Sequence, residues 1–252
     1  MALPEITTRE EWLRARTALL EREKEAVRAK DALNADRRRL PMVEVTEPYR
    51  FTGPDGEVGL ADLFAGRDQL VVQHVMFGPD WDAPCPACSA ALAELSEGLL
   101  AHLHARRTSF VAVSRAPYGR IAEVAAERGY RFDWVSSLGS TFNHDFHVTL
   151  DAAVAPVLWN YRDADALRAA GQEWVVEQAA AGPSEQPGYS CFLTTGGEVF
   201  HTYSTFARGT EQLGGAYAFL DMTALGRQEE WEEPAGRVEH ARGAVPDFAA
   251  GG

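Results

Sequence analysis

Two apolar runs constrain this chain more than anything else in it. "QLVVQHVMF" (69–77) is continuous in apolar residues except for Gln73 and His74, and "SFVAVS" (109–114) is a second such run. Each reads as a strand buried on both faces. Between them, Pro86–His104 carries Leu92, Leu95, Leu99 and Leu103 at helical spacing, and "YGRIAEVAAERGY" supplies a further helix closed by Gly129. Strand, helix, strand, helix in short segments predicts an α/β fold: a mainly parallel sheet covered on both faces. "FDWVSS" adds a strand, and "YRFTGPDGEVGLADLF" reads as a strand, a turn and a short helix led by Leu60.

Either side of this core the pattern changes. Thr8 to Leu40 predicts one long helix. Thr8 and Glu11 have the spacing of a capping box, and Pro41 blocks continuation. Trp12, Leu19, Ala26 and Leu33 recur every seven residues on an otherwise mixed-charge surface, a stripe suited to docking on the body or on a twin helix in a homodimer. Asp163–Ala181 looks helical and "AAAGPSEQPG" is a loop. "YSCFLTT" and "EVFHTYSTF" then form a hairpin around a diglycine turn, followed by a final helix in "GTEQLGGAYAFLDMTAL". The expected organisation is a helical arm (1–41), a domain (42–226) with an insertion before the final hairpin, and an acidic, loosely attached tail (227–252).

Composition excludes several classes. The net charge of −13 argues against a nucleic-acid binder, which needs a basic face. No apolar run approaches the roughly 20 residues that span a bilayer, and the polar start "MALPEITTREEW" does not read as a signal peptide. Three cysteines are too few for a disulfide scaffold, so the expected compartment is the cytoplasm.

Two of those cysteines, Cys85 and Cys88, stand in "CPAC" where the first buried strand and its loop give way to a helix. Free amide N–H groups and the positive end of the helix dipole favour a thiolate at the first position. Pro86 as first helical residue loses no hydrogen bond. Cys88, a turn later, is placed to attack a mixed disulfide formed at Cys85. The pair is thus expected to work as nucleophile and resolving thiol on a thiol or disulfide substrate, small molecule or protein, with no cofactor. Asp80 and Asp82 oppose the thiolate unless solvated. Cys191, flanked by aromatics, reads as a buried inert thiol.

The core resembles the thioredoxin-like fold. "VMFGPDWDAPCPAC", "FNHDFHV", "HTYSTFARG" and "LDMTALGR" resemble the bacterial DUF899 family, a thioredoxin-like group of predicted dithiol–disulfide oxidoreductases. The resemblance runs from the N-terminal helix to Arg227. It implies that Pro187, before the strand "YSCFL", lies as a cis-proline against the dithiol. Thioredoxins carry Trp immediately before the first cysteine. Here Pro84 holds that place and Trp81, three residues earlier, is a candidate substrate contact.

Histidines open a second reading. Cys85 and Cys88 with His144, His147 or His201 would suit Zn²⁺ or Cu⁺. Strict alternation puts His201, Tyr203 and Thr205 on one strand face, so His201, Tyr203 and Arg208 are expected in one pocket for a polar or anionic substrate. His74 reads as a hydrogen-bonded core residue, or one placed beneath the dithiol, and His102 and His104 as helix-end charge.

Overall fold

The computed structural model describes residues 6–210 and 215–221, with 223, 225, 226, 228 and 230. Its first element, α1 (Arg9–Arg39), starts on the expected capping box: the Thr8 hydroxyl accepts from the Glu11 amide, and the Glu11 carboxylate accepts from the Thr8 amide. Only Asn34, Ala35 and Arg38 of this helix are buried. The seven-residue stripe does not pack on the body, since Trp12, Leu19 and Leu33 are 46%, 45% and 57% exposed.

The chain continues through β1 (Val43–Glu44) and the hairpin β2 (Arg50–Gly53)–β3 (Gly56–Gly59), where a strand followed by a turn and helix was expected. The helix led by Leu60 is a short 3-10 turn, Asp62–Phe64. Next come β4 (Gln69–His74), α2 (Pro86–Ala93) and α3 (Glu97–His104). The single helix expected over Pro86–His104 is two helices because Ser96 caps α3, its hydroxyl accepting from the Leu99 amide at 3.1 Å. β5 (Thr108–Ser114), α4 (Tyr118–Arg128, closed by Gly129) and β6 (Asp133–Ser136) complete the first half.

The insertion comprises α5 (Phe142–Asp145), β7 (Thr149–Leu150), the hairpin β8 (Leu158–Trp159)–β9 (Arg162–Asp163), α6 (Ala164–Ala169), α7 (Glu173–Ala181) and β10 (Ser184–Glu185). It has its own small core around Leu150, Trp159, Leu167 and Val175. The helix expected over 163–181 is divided at Gly171. β11 (Gly188–Thr195) and β12 (Glu198–Phe206) form the expected hairpin. Gly196 and Gly197 supply the positive φ values, 64° and 92°, that its two-residue turn needs. The last described helix is α8 (Gly215–Asp221). Almost all of the 227–252 tail lies outside the described residues.

Eight strands form one sheet in the order β1-β12-β11-β4-β5-β6-β2-β3. Only β4, β5 and β6 run parallel; every other pairing is antiparallel. The sheet is therefore mixed, where a mainly parallel one was expected. A helix-bearing crossover separates β4 from β5 and β5 from β6, whereas two-residue turns make β2–β3 and β11–β12 antiparallel hairpins. Within it, β12-β11-β4-β5, with α2 and α3 after β4 and α8 after β12, has the order and directions of the thioredoxin-like fold. β4 and β5 are buried at every position, as the apolar stretches at their centres imply. Alternate residues feed opposite cores. Val71 and Val75 join Cys88, Leu92, Leu103, Ile121 and Phe219 under the helices. Leu70 and Val72 join Phe51, Phe64, Phe142 and Phe146 on the other face.

Candidate functional site

The dithiol forms where β4 ends. The chain leaves the sheet after His74, loops over residues 78–84 and returns, the Cys85 amide donating to the Met76 carbonyl at 2.9 Å. Trp81 shapes that loop. Its indole nitrogen lies 2.8 Å from where a Cβ would stand on Gly78, so only glycine admits the ring there. Cys85 is the N-cap residue of α2 and Pro86 its first helical residue, as the sequence implies.

Cys85 is partly exposed and Cys88 buried; both are free thiols. The two are neighbours, and Met76 lies beside both. Burial pushes the Cys88 thiol up to about 12, with the neighbouring Cys85 adding to the shift and the Met76 contact opposing it. Both sulfurs line a cavity of about 170 Å³ with Gln73, Met76, Pro187 and Tyr189. Pro187 is thus one wall of the cavity that holds the dithiol. Asp80 and Asp82 are exposed, and Arg120 donates to the Asp82 carbonyl at 2.7 Å. Cys191 is fully buried, with its thiol pushed up to about 12 by burial.

Gln73 is a site residue that the sequence signals only as a polar interruption of a buried strand. It shares a strand face with Val71 and Val75, on the dithiol side, and is 3% exposed. Its side-chain oxygen has no hydrogen-bond partner among the described residues. An orphan acceptor lining the dithiol cavity is a ready contact for a donor on an incoming molecule. His74 is one residue out of phase, so its ring faces the opposite core and stacks near Phe142 and Phe146, with centroids 5.6 and 6.1 Å away. It is a core residue whose ring packs on the far side of the sheet, while the residue also borders the dithiol cavity. Burial drives it down to about 3, so it stays neutral.

The expectation that His201 and Tyr203 share a face fails for a definite reason. Cys191 pairs with Tyr203 but Phe192 with His201, so Thr202 is an extra residue in β12, a β-bulge. The bulge reverses the alternation. Tyr203 packs on the dithiol side with the Arg37 guanidinium 4.8 Å above its ring, while His201 turns to the other face, edge-on to Phe146 at 5.2 Å. The side chain of Arg208 lies outside the described residues. Trp81, resting on Gly78, does not line the dithiol cavity.

The metal reading needs Cys85 and Cys88 at one point with one or two of His144, His147 and His201. His147 instead lines a second cavity with His201, and His144 lies near Glu185. No cluster of three or more His, Cys, Asp or Glu side chains suited to a metal ion occurs among the described residues. None of the described helices is long and apolar enough to cross a membrane.

Comparison with known proteins names no reaction for this chain. Two peroxiredoxin Q structures, both cysteine-to-serine mutants, are among the similar solved structures. That of Xanthomonas campestris is 12% identical over 66% of this chain and 87% of its own, with a TM-score of 0.41. That of Xylella fastidiosa is 12% identical over 69% and 92%, also at 0.41. BsSco, of the Sco family of cytochrome c oxidase assembly proteins, is 16% identical over 66% and 85%, at 0.36. At such values these likenesses carry no inference about chemistry. No curated protein matches. One family does: residues 1–242 match the family described as "Bacterial protein of unknown function (DUF899)", and the chain belongs to it.

Proposed function

We propose that this chain is a thiol–disulfide oxidoreductase that works through Cys85 and Cys88. The observation that carries the reading is the unequal exposure of two neighbouring thiols in one cavity: Cys85 reachable at a helix start, Cys88 buried behind it. Such a pair does two different jobs. The Cys85 thiolate attacks one sulfur of a disulfide R–S–S–R′, forming Cys85–S–S–R and expelling R′S⁻, which takes a proton from water. Cys88, losing its own proton, then attacks the Cys85 sulfur. The Cys85–Cys88 disulfide forms, RS⁻ leaves, and two electrons have passed from protein to substrate. Run backwards, the same steps oxidise a dithiol. The cavity, at about 170 Å³, is smaller than the roughly 300–1,000 Å³ of a pocket for a whole small molecule. It suits the sulfur-bearing end of a substrate, with the remainder outside.

The test is trapping. Cys88→Ser mixed with 5,5′-dithiobis(2-nitrobenzoate) is expected to hold one thionitrobenzoate on Cys85 as a lasting adduct. The native chain releases a second equivalent and ends as an internal disulfide, and Cys85→Ser forms neither. Adducts that form equally well in Cys85→Ser would refute the assignment of the nucleophile.

A further inference from the structure

On the face of the sheet away from the dithiol lies a larger cavity, about 380 Å³, that the redox reading does not use. Its volume falls in the range of small-molecule sites, roughly 300–1,000 Å³. Its walls are aromatic: Tyr49, Phe146, Tyr161 and Phe206. Its charged groups are all of one sign. Glu44, Glu47 and Asp145 line it, and no Lys or Arg does. The two histidines present, His147 and His201, are both lowered from the ordinary histidine value, chiefly by burial, so they do not offset the carboxylates near neutral pH.

The groups are also held in place. Tyr49 Oη and Thr141 Oγ1 donate to Asp145 Oδ2 at 2.9 and 2.6 Å, fixing the carboxylate against the aromatic wall. His201 is braced by a buried chain: its Nε2 lies 2.8 Å from Ser204 Oγ, which is 2.8 Å from Ser190 Oγ, which is 2.8 Å from His74 Nε2. Tyr161 donates to the Ser204 carbonyl at 2.9 Å. Three residues of the lining, His147, Asn160 and Tyr161, are non-glycine residues at positive φ (54°, 48° and 63°). Such strain gathers where a fold holds side chains for a ligand.

We propose that this cavity binds a small organic cation, an ammonium group carried on an aromatic or aliphatic body. Ring faces attract a cation through their quadrupole, and the carboxylates supply the opposite charge. An anion meets three like charges, and a neutral molecule gains only the apolar contact.

Titration calorimetry of the full chain with phenethylamine, 2-phenylethanol and 3-phenylpropionate tests this. The expected order is the ammonium first, the alcohol about tenfold weaker, and the carboxylate without measurable binding. Asp145→Asn is expected to weaken the ammonium about tenfold and leave the alcohol unchanged. Tyr161→Gly, which keeps the left-handed turn while removing the ring, weakens both. Glu177→Gln, a carboxylate outside the cavity, changes neither. An alcohol that binds as tightly as the ammonium overturns the proposal. So does ammonium binding that survives Asp145→Asn and Tyr161→Gly together, which would mark general attraction to an acidic surface, or no ammonium binding at all.

Discussion

At the scale of single residues, the account turns on how differently one helix start treats two thiols three positions apart. Burial is the largest influence on Cys88, and it persists after Cys85 has been consumed in a mixed disulfide. The thiol therefore stays largely protonated at neutral pH, and the resolving step is limited by its thiolate fraction. Its rate should rise about tenfold per pH unit across pH 7 to 9, a slope read by stopped-flow release of the second thionitrobenzoate equivalent from the native chain. A flat profile would mean that some other group takes the proton. Gln73 makes a second prediction at this scale. Because its side-chain oxygen is buried without a partner, Gln73→Met should leave the folded state as stable as before or slightly more so, by about 1 kcal/mol. If that oxygen accepts from the substrate, the same variant raises KM and spares the alkylation rate of Cys85. A structural role alone would move melting temperature and leave KM untouched.

At the scale of elements, what the sequence shows and what it hides have separate physical causes. β4 and β5 are legible because a strand buried on both faces is mostly apolar at its centre, and the hairpin because two glycines in sequence are hard to use otherwise. The break between α2 and α3 is written in Ser96, whose capping role competes with an unbroken leucine pattern. The Thr202 bulge leaves no mark in composition, since one inserted residue alters parity without altering residue types. That is why Tyr203 was placed with His201, and why the two are on opposite faces. The short insertion elements are equally obscure, being fixed by tertiary contacts such as the pair between Arg115, just after β5, and Glu185 in β10. Arg115 Nη1 lies 2.9 Å from Glu185 Oε1, and Thr149 donates to the other carboxylate oxygen at 2.7 Å. Burial pushes the Glu185 carboxyl up against the pull of these two partners. Arg115→Met strands that carboxyl and should cost about 3 kcal/mol in chemical denaturation at neutral pH. The sign with pH follows: with its folded value raised, Glu185 in the variant favours the native state below its unfolded value and loses that advantage as pH rises. The variant should thus approach native stability in mild acid. An equal loss at both pH values would contradict it.

At the scale of the whole molecule, the sheet separates two chemistries. Sulfur is on the helix-covered side, while an acidic, aromatic cavity opens on the other. The arm extends from this body with its apolar stripe uncovered. A second copy of the chain is the partner the stripe is expected to take, and Leu19→Glu with Leu33→Glu should convert a dimer to a monomer in sedimentation velocity without altering the dithiol. A native chain that is monomeric at high concentration would leave the stripe without that role. The account as a whole is tested most directly by competitive alkylation of the fully reduced chain near neutral pH, with each cysteine followed by peptide mass spectrometry. Cys85 is predicted to react far ahead of Cys88 and Cys191, both buried and both raised to about 12. Modification of Cys85 no faster than that of Cys191 would contradict it.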